Sequence, residues 1–292
     1  MKTAVFLVNF GAPRTIDEAG LFLMRLSGRE APKEAVEAVR QRYMAIGGAS
    51  PLISITQEQA ALLSDATGLP VACAFRYTSP TLEEAVNECY KSGTDRIVFF
   101  VMSPYYTSKT VGAYVSAVER YVPLLPYRPE TVFIHSWHEE PLFRQAWVKR
   151  IGDQGGPKDA FYLFSAHSLP VSCKDEPYAG QVEETASYVA GQLGLSAWAL
   201  GWQSAPRSDE PWMGPSVEEV IDRVSREASA IVEIPIGFVS DHLETLYDID
   251  IVHRAYAESK GLAFSRVPSL NSYPAFIAGL KAILSDRLGT GR

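Results

Sequence analysis

The sequence predicts an α/β protein of two doubly wound halves, each a four-stranded parallel sheet flanked by helices, with a cleft between them. Three observations carry this. Eight short apolar runs recur along the 292 residues, four in each half, and stretches with apolar residues at three- and four-residue spacing separate them. Strand-like runs alternating with helix-like ones are the signature of parallel βα units. Most runs are also almost continuously apolar, as strands covered by helices on both faces must be.

In chain order the runs are Thr3–Phe10, Pro70–Phe75, Arg96–Ser103, Thr131–His135, Ala160–Ser165, Trp198–Trp202, Ile231–Gly237 and Leu262–Val267. The helix-like stretches are Glu30–Ile46, Ser54–Thr67, Thr81–Lys91, Lys109–Tyr121, Glu140–Ile151, Gln181–Leu193, Ser216–Ala228 and Asp241–Ser259, with Ser216 and Asp241 as expected N-caps. Two turn-rich stretches, Pro123 to Pro129 and Gly152 to Lys158, are candidate boundaries. The expected domains are 1–138 and 139–292, with a C-terminal helix packing back on the first.

Composition excludes several classes. A formal net charge of -7 without a Lys/Arg cluster argues against nucleic acid as a partner. No stretch approaches the ~18 uninterrupted apolar residues of a membrane span, and Met1 to Phe10 lacks a secretory pattern, so the expectation is a cytoplasmic protein. Cys73, Cys89 and Cys173 fit neither a disulfide framework nor a metal spacing and are read as free thiols.

Chemistry concentrates in two segments, each following a buried run: Phe164-Ser165-Ala166-His167-Ser168-Leu169-Pro170, and Gly237 to Asp250. The first presents His167 on a short loop closed by Pro170. An imidazole titrates near neutrality and binds transition metals through a neutral nitrogen. The second places Glu244 and Asp248 four residues apart on one helix face, a carboxylate column that a cation or a retained proton would relieve of its repulsion. His135, His138 and His253 lack partner spacing and are read as structural or surface residues.

Six ordered patches together resemble the ferrochelatases, most of all the soluble Gram-positive type acting on coproporphyrin III. They are Asn9-Phe10-Gly11-Ala12-Pro13; Arg42 to Leu52; Phe75-Arg76-Tyr77-Thr78-Ser79-Pro80; the His167 loop; Gly201-Trp202-Gln203-Ser204 with Pro211 to Pro215; and the Glu244 helix. The resemblance implies two Rossmann-like domains with a porphyrin in the cleft, and insertion of ferrous iron, as substrate, without a cofactor. It implies that His167 and Glu244 are the catalytic pair, that His167, Glu244 and Asp248 handle the metal, and that a divalent metal can occupy the site. It places porphyrin contacts on Phe10, Trp202 and Trp212, and propionate anchoring on Arg42, Tyr43, Ser50 and Tyr114.

Gly11 is expected to let the backbone approach a flat ligand. Phe10 stands where coproporphyrin-type relatives carry an axial tyrosine, and Val252 where some carry an outer acid, so product iron is expected to be held from the His167 side, by another residue, or by water. Arg25 and Arg29 flank Leu26, where relatives carry arginine. A monomer is expected, in transient contact with neighbouring haem-pathway enzymes. Alternatives are protoporphyrin IX as substrate, a cobalt or nickel chelatase for a precorrin-like ring, whose relatives show additional histidines at the metal site, and a non-catalytic porphyrin carrier.

Overall fold

A computed structural model describes residues 2–157, 159–206 and 209–289; Lys158, at the end of one turn-rich stretch, lies outside them. By contacts the chain divides into two compact units, residues 2–104, 108–137 and from Leu280 onward in the first, and residues 105–107 and 138–279 in the second.

The first unit holds strands β1 (Thr3–Asn9), β2 (Val71–Phe75), β3 (Arg96–Val101) and β4 (Glu130–Ile134), all parallel, in the order β2-β1-β3-β4. Helices α1 (Ala19–Ser27), α2 (Lys33–Ala45), α3 (Leu52–Thr67), α4 (Leu82–Lys91) and α5 (Val111–Tyr121) accompany them. Residues Ile97 to Val101 of β3 are all buried, which explains the unbroken apolar run there. Helix α1 was not expected from the periodicity. Its Leu21, Met24 and Leu26 are exposed, so the apolar positions do not trace a single buried face.

The second unit repeats the order, β6-β5-β7-β8, with β5 (Ala160–His167), β6 (Trp198–Gln203), β7 (Ala230–Ile234) and β8 (Ala263–Arg266) again parallel. It carries α6 (Pro141–Gln154), α7 (Tyr178–Leu193), α8 (Val217–Val224), a π-helix (Glu244–His253) continuing into α9 (Arg254–Ser259), and the first part of α10 (Pro274–Leu288). Its core joins Leu163, Val217, Val220, Ile221, Val224, Ile231, Ala257 and Leu262. Burying each large side chain of that set contributes roughly 1.5–3 kcal/mol.

Three local expectations meet the structure differently. Ser216 caps α8 through a reciprocal box, its hydroxyl accepting from Glu219 N at 3.1 Å while Glu219 accepts from Ser216 N at 2.7 Å. Asp241 is not an N-cap. Its carboxylate is taken by Arg266 Nη1 at 2.7 Å and Asn271 Nδ2 at 2.7 Å, a guanidinium charge outcompeting a backbone amide, and Thr245 Oγ1 accepts from His242 N instead. Gly11 has φ of +90°, and a side chain there would meet Thr78 Oγ1 at 2.9 Å and Phe75 at 3.2 Å. Packing of its own chain therefore already requires the glycine.

In both sheets the chain steps from its first strand to one side and then returns to pair on the other. Such a reversal opens a crevice beyond the strands' carboxyl ends. In the second unit it lies between β5 and β7, and β5 runs two residues further than expected because Ala166 and His167 still pair with Trp202 and Gln203. His167 thus ends the strand rather than sitting on the loop after it. Gly237 closes the crevice floor, its N–H donating to Ser165 O at 3.1 Å; a Cβ on it would stand 2.7 Å from Ala166 Cβ and 2.8 Å from Ala166 Cα. Since backbone must move to admit it, Gly237→Ala is expected to destabilise the protein by about 1–3 kcal/mol. Denaturant unfolding measures this, and an unchanged midpoint would refute the close approach.

Candidate metal and proton-handling site

The crevice beyond β5 and β7 gathers His167, Glu244 and a second imidazole, His242. His167 Nε2 stands 3.7 Å from Glu244 Oε1, and His242 Nε2 stands 3.7 Å from Glu244 Oε2. The carboxylate therefore lies between two rings. Each ring is oriented by its other nitrogen: His167 Nδ1 is 2.5 Å from Ser168 O, and His242 Nδ1 is 3.1 Å from Ser240 O. A carbonyl only accepts, so both Nδ1 atoms carry hydrogen, and it is Nε2 of each ring that faces the carboxylate. The two 3.7 Å separations leave a place for a cation between nitrogen and carboxylate.

The supports are local. Tyr178 donates its hydroxyl to His167 O at 3.0 Å, and burial pushes that phenol well above its usual range, so it stays a donor. Phe238 packs on the His242 ring with centroids 4.6 Å apart. Glu244 opens the π-helix, a ten-residue element in a conformation that usually occurs as single turns and often at functional sites. The expected four-residue spacing of Glu244 and Asp248 therefore belongs to a wider helix than the α-helix assumed from the sequence.

Asp248 has a partner of its own. Ser204 donates to Asp248 Oδ2 at 2.6 Å, and Gln203 Nε2 lies 3.3 Å from the same Ser204 oxygen. Ser204 holds φ at +61°, a conformation uncommon for a residue with a Cβ, directly after β6. Among the described residues, the one group with three His, Cys, Asp or Glu ligand atoms mutually within 4.8 Å is His138, Glu139 and Glu184. There Arg144 already approaches Glu184 at 3.7 Å. The expected set of His167, Glu244 and Asp248 is thus not drawn together to ligand distance: the first two meet, and Asp248 engages Ser204.

Of the expected ring contacts, Trp202 is 6% exposed, pairs with Ala166 in the sheet and packs on Tyr178 at 5.7 Å. Trp212 is partly buried and bridges to Pro170. In the first unit Phe10, 38% exposed, closes an aromatic group with Tyr77 at 4.8 Å and Phe22 at 5.9 Å. Arg42 is partly buried, Tyr43 and Tyr114 are buried, and the Ser50 hydroxyl accepts from Leu52 N at 3.3 Å. Arg76, given no role from the sequence, lies 5.1 Å from the Tyr77 ring and 5.7 Å from the Tyr114 ring, with Nη1 buried and without a hydrogen-bond partner. His242 was also missed, although it lies within the segment singled out, two residues before Glu244.

The sequence pattern of the ferrochelatases matches residues 2–288. The chain belongs to the ferrochelatase family. Among its relatives, the coproporphyrin III ferrochelatase of Anoxybacillus flavithermus is 33% identical over 97% of this chain and 96% of that protein. The coproporphyrin III ferrochelatase of Geobacillus kaustophilus is 33% identical over 98% and 96%, and the ferrochelatase of Deinococcus radiodurans 34% over 97% and 95%. Among solved structures, SirB from Bacillus subtilis with Fe3+ superposes with a TM-score of 0.61 at 15% identity, covering 99% of this chain and 98% of that one. CbiX, described as the terminal enzyme of sirohaem biosynthesis in denitrifying bacteria, gives 0.57 at 13%, covering 98% and 99%. At such identities these two show the shared chelatase fold alone. Among the described residues, no helix of this ferrochelatase is long and apolar enough to cross a membrane.

The loop that carries His242 is held by Asp241. Burial works to raise the Asp241 pKa, but the Arg266 charge and bonds from Asn271 and Ser269 outweigh it and hold the carboxyl below its usual value of 3.8. A group depressed on folding contributes stability above its unfolded pKa and loses it as pH falls through the folded one. Asp241→Asn should therefore cost about 2 kcal/mol at neutral pH. The deficit relative to the parent protein should shrink below pH 3.8. Thermal unfolding across that range checks both the size and the sign.

Proposed function

We propose that this ferrochelatase inserts ferrous iron into coproporphyrin III, yielding coprohaem and two protons, as a lyase of haem biosynthesis with iron as substrate and no redox cofactor. The observation that carries the reading is Glu244 held between the Nε2 atoms of His167 and His242. Insertion breaks two pyrrole N–H bonds and forms bonds from four ring nitrogens to iron, with no change in oxidation state. It needs a borderline ligand that can release Fe(II) and a base beside it, and imidazole with carboxylate meets both needs.

The steps follow from the fixed tautomers. With Nδ1 committed to backbone carbonyls, each imidazole offers only Nε2, so iron losing water is met by nitrogen on the side facing Glu244. A proton leaving the ring passes to the carboxylate or to an Nε2, where the neighbouring base shares it. Asp248, bonded to Ser204 further along the π-helix, is suited to hold an incoming hydrated cation before it reaches Glu244. Bending the macrocycle requires contacts elsewhere on it. Trp212 in the second unit, and Phe10 and Arg76 in the first, are proposed to supply such contacts, with propionate anchoring on Arg42, Tyr43, Ser50 and Tyr114. Phe10 has no oxygen to offer product iron.

The coproporphyrin preference rests on relatives carrying that name over nearly their whole length. His242 gives the cobalt or nickel chelatase alternative an observation in its favour, because that class was expected to show an additional histidine. The full-length match to the ferrochelatases outweighs it, since likeness to the sirohaem enzymes is one of fold.

Anaerobic mixing of Fe(II) with coproporphyrin III, followed by visible absorption, tests the proposal. Glu244→Gln and His167→Ala are expected to lower kcat by about 10²–10⁴ while porphyrin binding persists. Faster turnover of protoporphyrin IX would reverse the substrate assignment. Cobalt insertion into sirohydrochlorin without iron insertion into either porphyrin would move the protein to the other class.

A further inference from the structure

Strand β7 contains a carboxylate in an otherwise apolar run: Ala230, Ile231, Val232, Glu233 and Ile234 are all buried, and Glu233 is 0% exposed. An isolated charge in such a place is strongly disfavoured unless paired. Its partner is His253, 2% exposed and the last residue of the π-helix, whose Nδ1 lies 3.1 Å from both Glu233 oxygens. In the sheet Glu233 pairs with Arg266 of β8. Arg266 reaches the same π-helix, its Nε and Nη2 each 2.9 Å from an oxygen of Asp250. Two neighbouring residues of the sheet, one acidic and one basic, thus grip two helix residues of opposite character, three positions apart.

We propose that the Glu233–His253 pair, working with Arg266–Asp250, is a register lock on the π-helix, and that Glu233 and His253 are positioning residues for Glu244 and Asp248. Buried ion pairs seldom stabilise a fold more than apolar residues of similar size would, and their best-attested use is to fix register. The need here is specific. A π-helix competes with the ordinary α-helical hydrogen-bond register, and a slip of one residue turns a helix by about 100°. Such a slip would move Glu244 out from between the two imidazoles and take Asp248 off Ser204. A slip would also unpair both grips at once, leaving buried charges on β7 and β8.

This inference rests on the proposed chelatase reading for its turnover prediction only; metal binding and amide exchange test it separately. In the full chain, Glu233→Leu combined with His253→Phe should leave thermal stability equal to or above the parent. It should weaken Co2+ binding, read by visible absorption without porphyrin, by about 10–100-fold, and lower kcat comparably with an unchanged porphyrin KM. Amides of residues 244–253 should exchange faster. Glu233→Gln, which still accepts from Nδ1, should retain most of the metal affinity, whereas the shorter Glu233→Asp should lose it. A folded double variant with parental Co2+ affinity and exchange would overturn the lock; if the double variant does not fold, equal affinity in the Gln and Asp variants would overturn it. Failure of the parent to turn over coproporphyrin III would instead count against the chelatase reading, while the binding and exchange results still decide the lock.

Discussion

Everything in the second unit that bears on chemistry answers to one constraint: a carboxylate must stay between two imidazole nitrogens without touching either. At 3.7 Å the contacts with Glu244 are too long for good hydrogen bonds and short enough for both groups to face one cation. Holding groups at that intermediate distance needs rigid elements on both sides. His167 is fixed by the ladder of β5 with β6, by Tyr178 beneath its carbonyl and by the close crossing of Gly237. His242 is fixed by the bonds of Asp241 to Arg266 and Asn271 and by the ring of Phe238. Glu244 depends on the π-helix.

The first unit contributes features of a different kind. Around the end of β1 it presents aromatic faces and a guanidinium, Phe10 with Tyr77 and Phe22, and Arg76 beside Tyr77 and Tyr114. These groups favour flat, electron-rich and carboxylate-bearing ligands, because rings stack and guanidinium forks pair with carboxylates. They carry no metal chemistry. Among the described residues, the pairing of imidazole with carboxylate at Glu244 belongs to the second unit, and the exposed aromatic group around Phe10 to the first.

The fold was legible in the sequence because burial on both faces leaves a strong mark. All eight strands fall where continuous apolar runs stand, and both sheets take the same order. Helix α1 left no such mark, since Leu21, Met24 and Leu26 are exposed while Ala19 and Phe22 are buried, so its apolar residues are split between solvent and core. That His167 and Glu244 meet was legible because each follows a buried strand whose end faces the same crevice. What could not be read was the hydrogen-bond register of 244–253. An α- and a π-helix draw on the same residues, and their difference lies in which carbonyl each amide finds. His242 was hidden for a related reason: its ring is placed by a loop bond to Ser240 O, and no periodicity encodes that bond. The contact of Trp202 with Tyr178 was not legible either, since residues 24 positions apart in the sequence meet there only through the fold.

The distribution of polar groups in the second unit follows from the same constraint. One of its cores, Leu163 with Val217, Val220, Ile221 and Ile231, is apolar throughout and supplies cohesion without direction. Behind the π-helix the composition changes to Glu233, His253, Arg266, Asp250 and Asp241, nearly all in paired contact. For His253, burial works to lower the pKa, yet the Glu233 charge and hydrogen bond prevail and raise it, so protonation and pairing reinforce each other. Hydrophobic contacts tolerate sliding, since one methyl replaces another at little cost. Charged hydrogen bonds do not, because a displaced partner leaves a buried charge alone. A helix that must present Glu244 at one angle and no other is therefore held by groups that recognise a single register, and the ordinary apolar packing is left to the helices whose rotation has no chemical consequence.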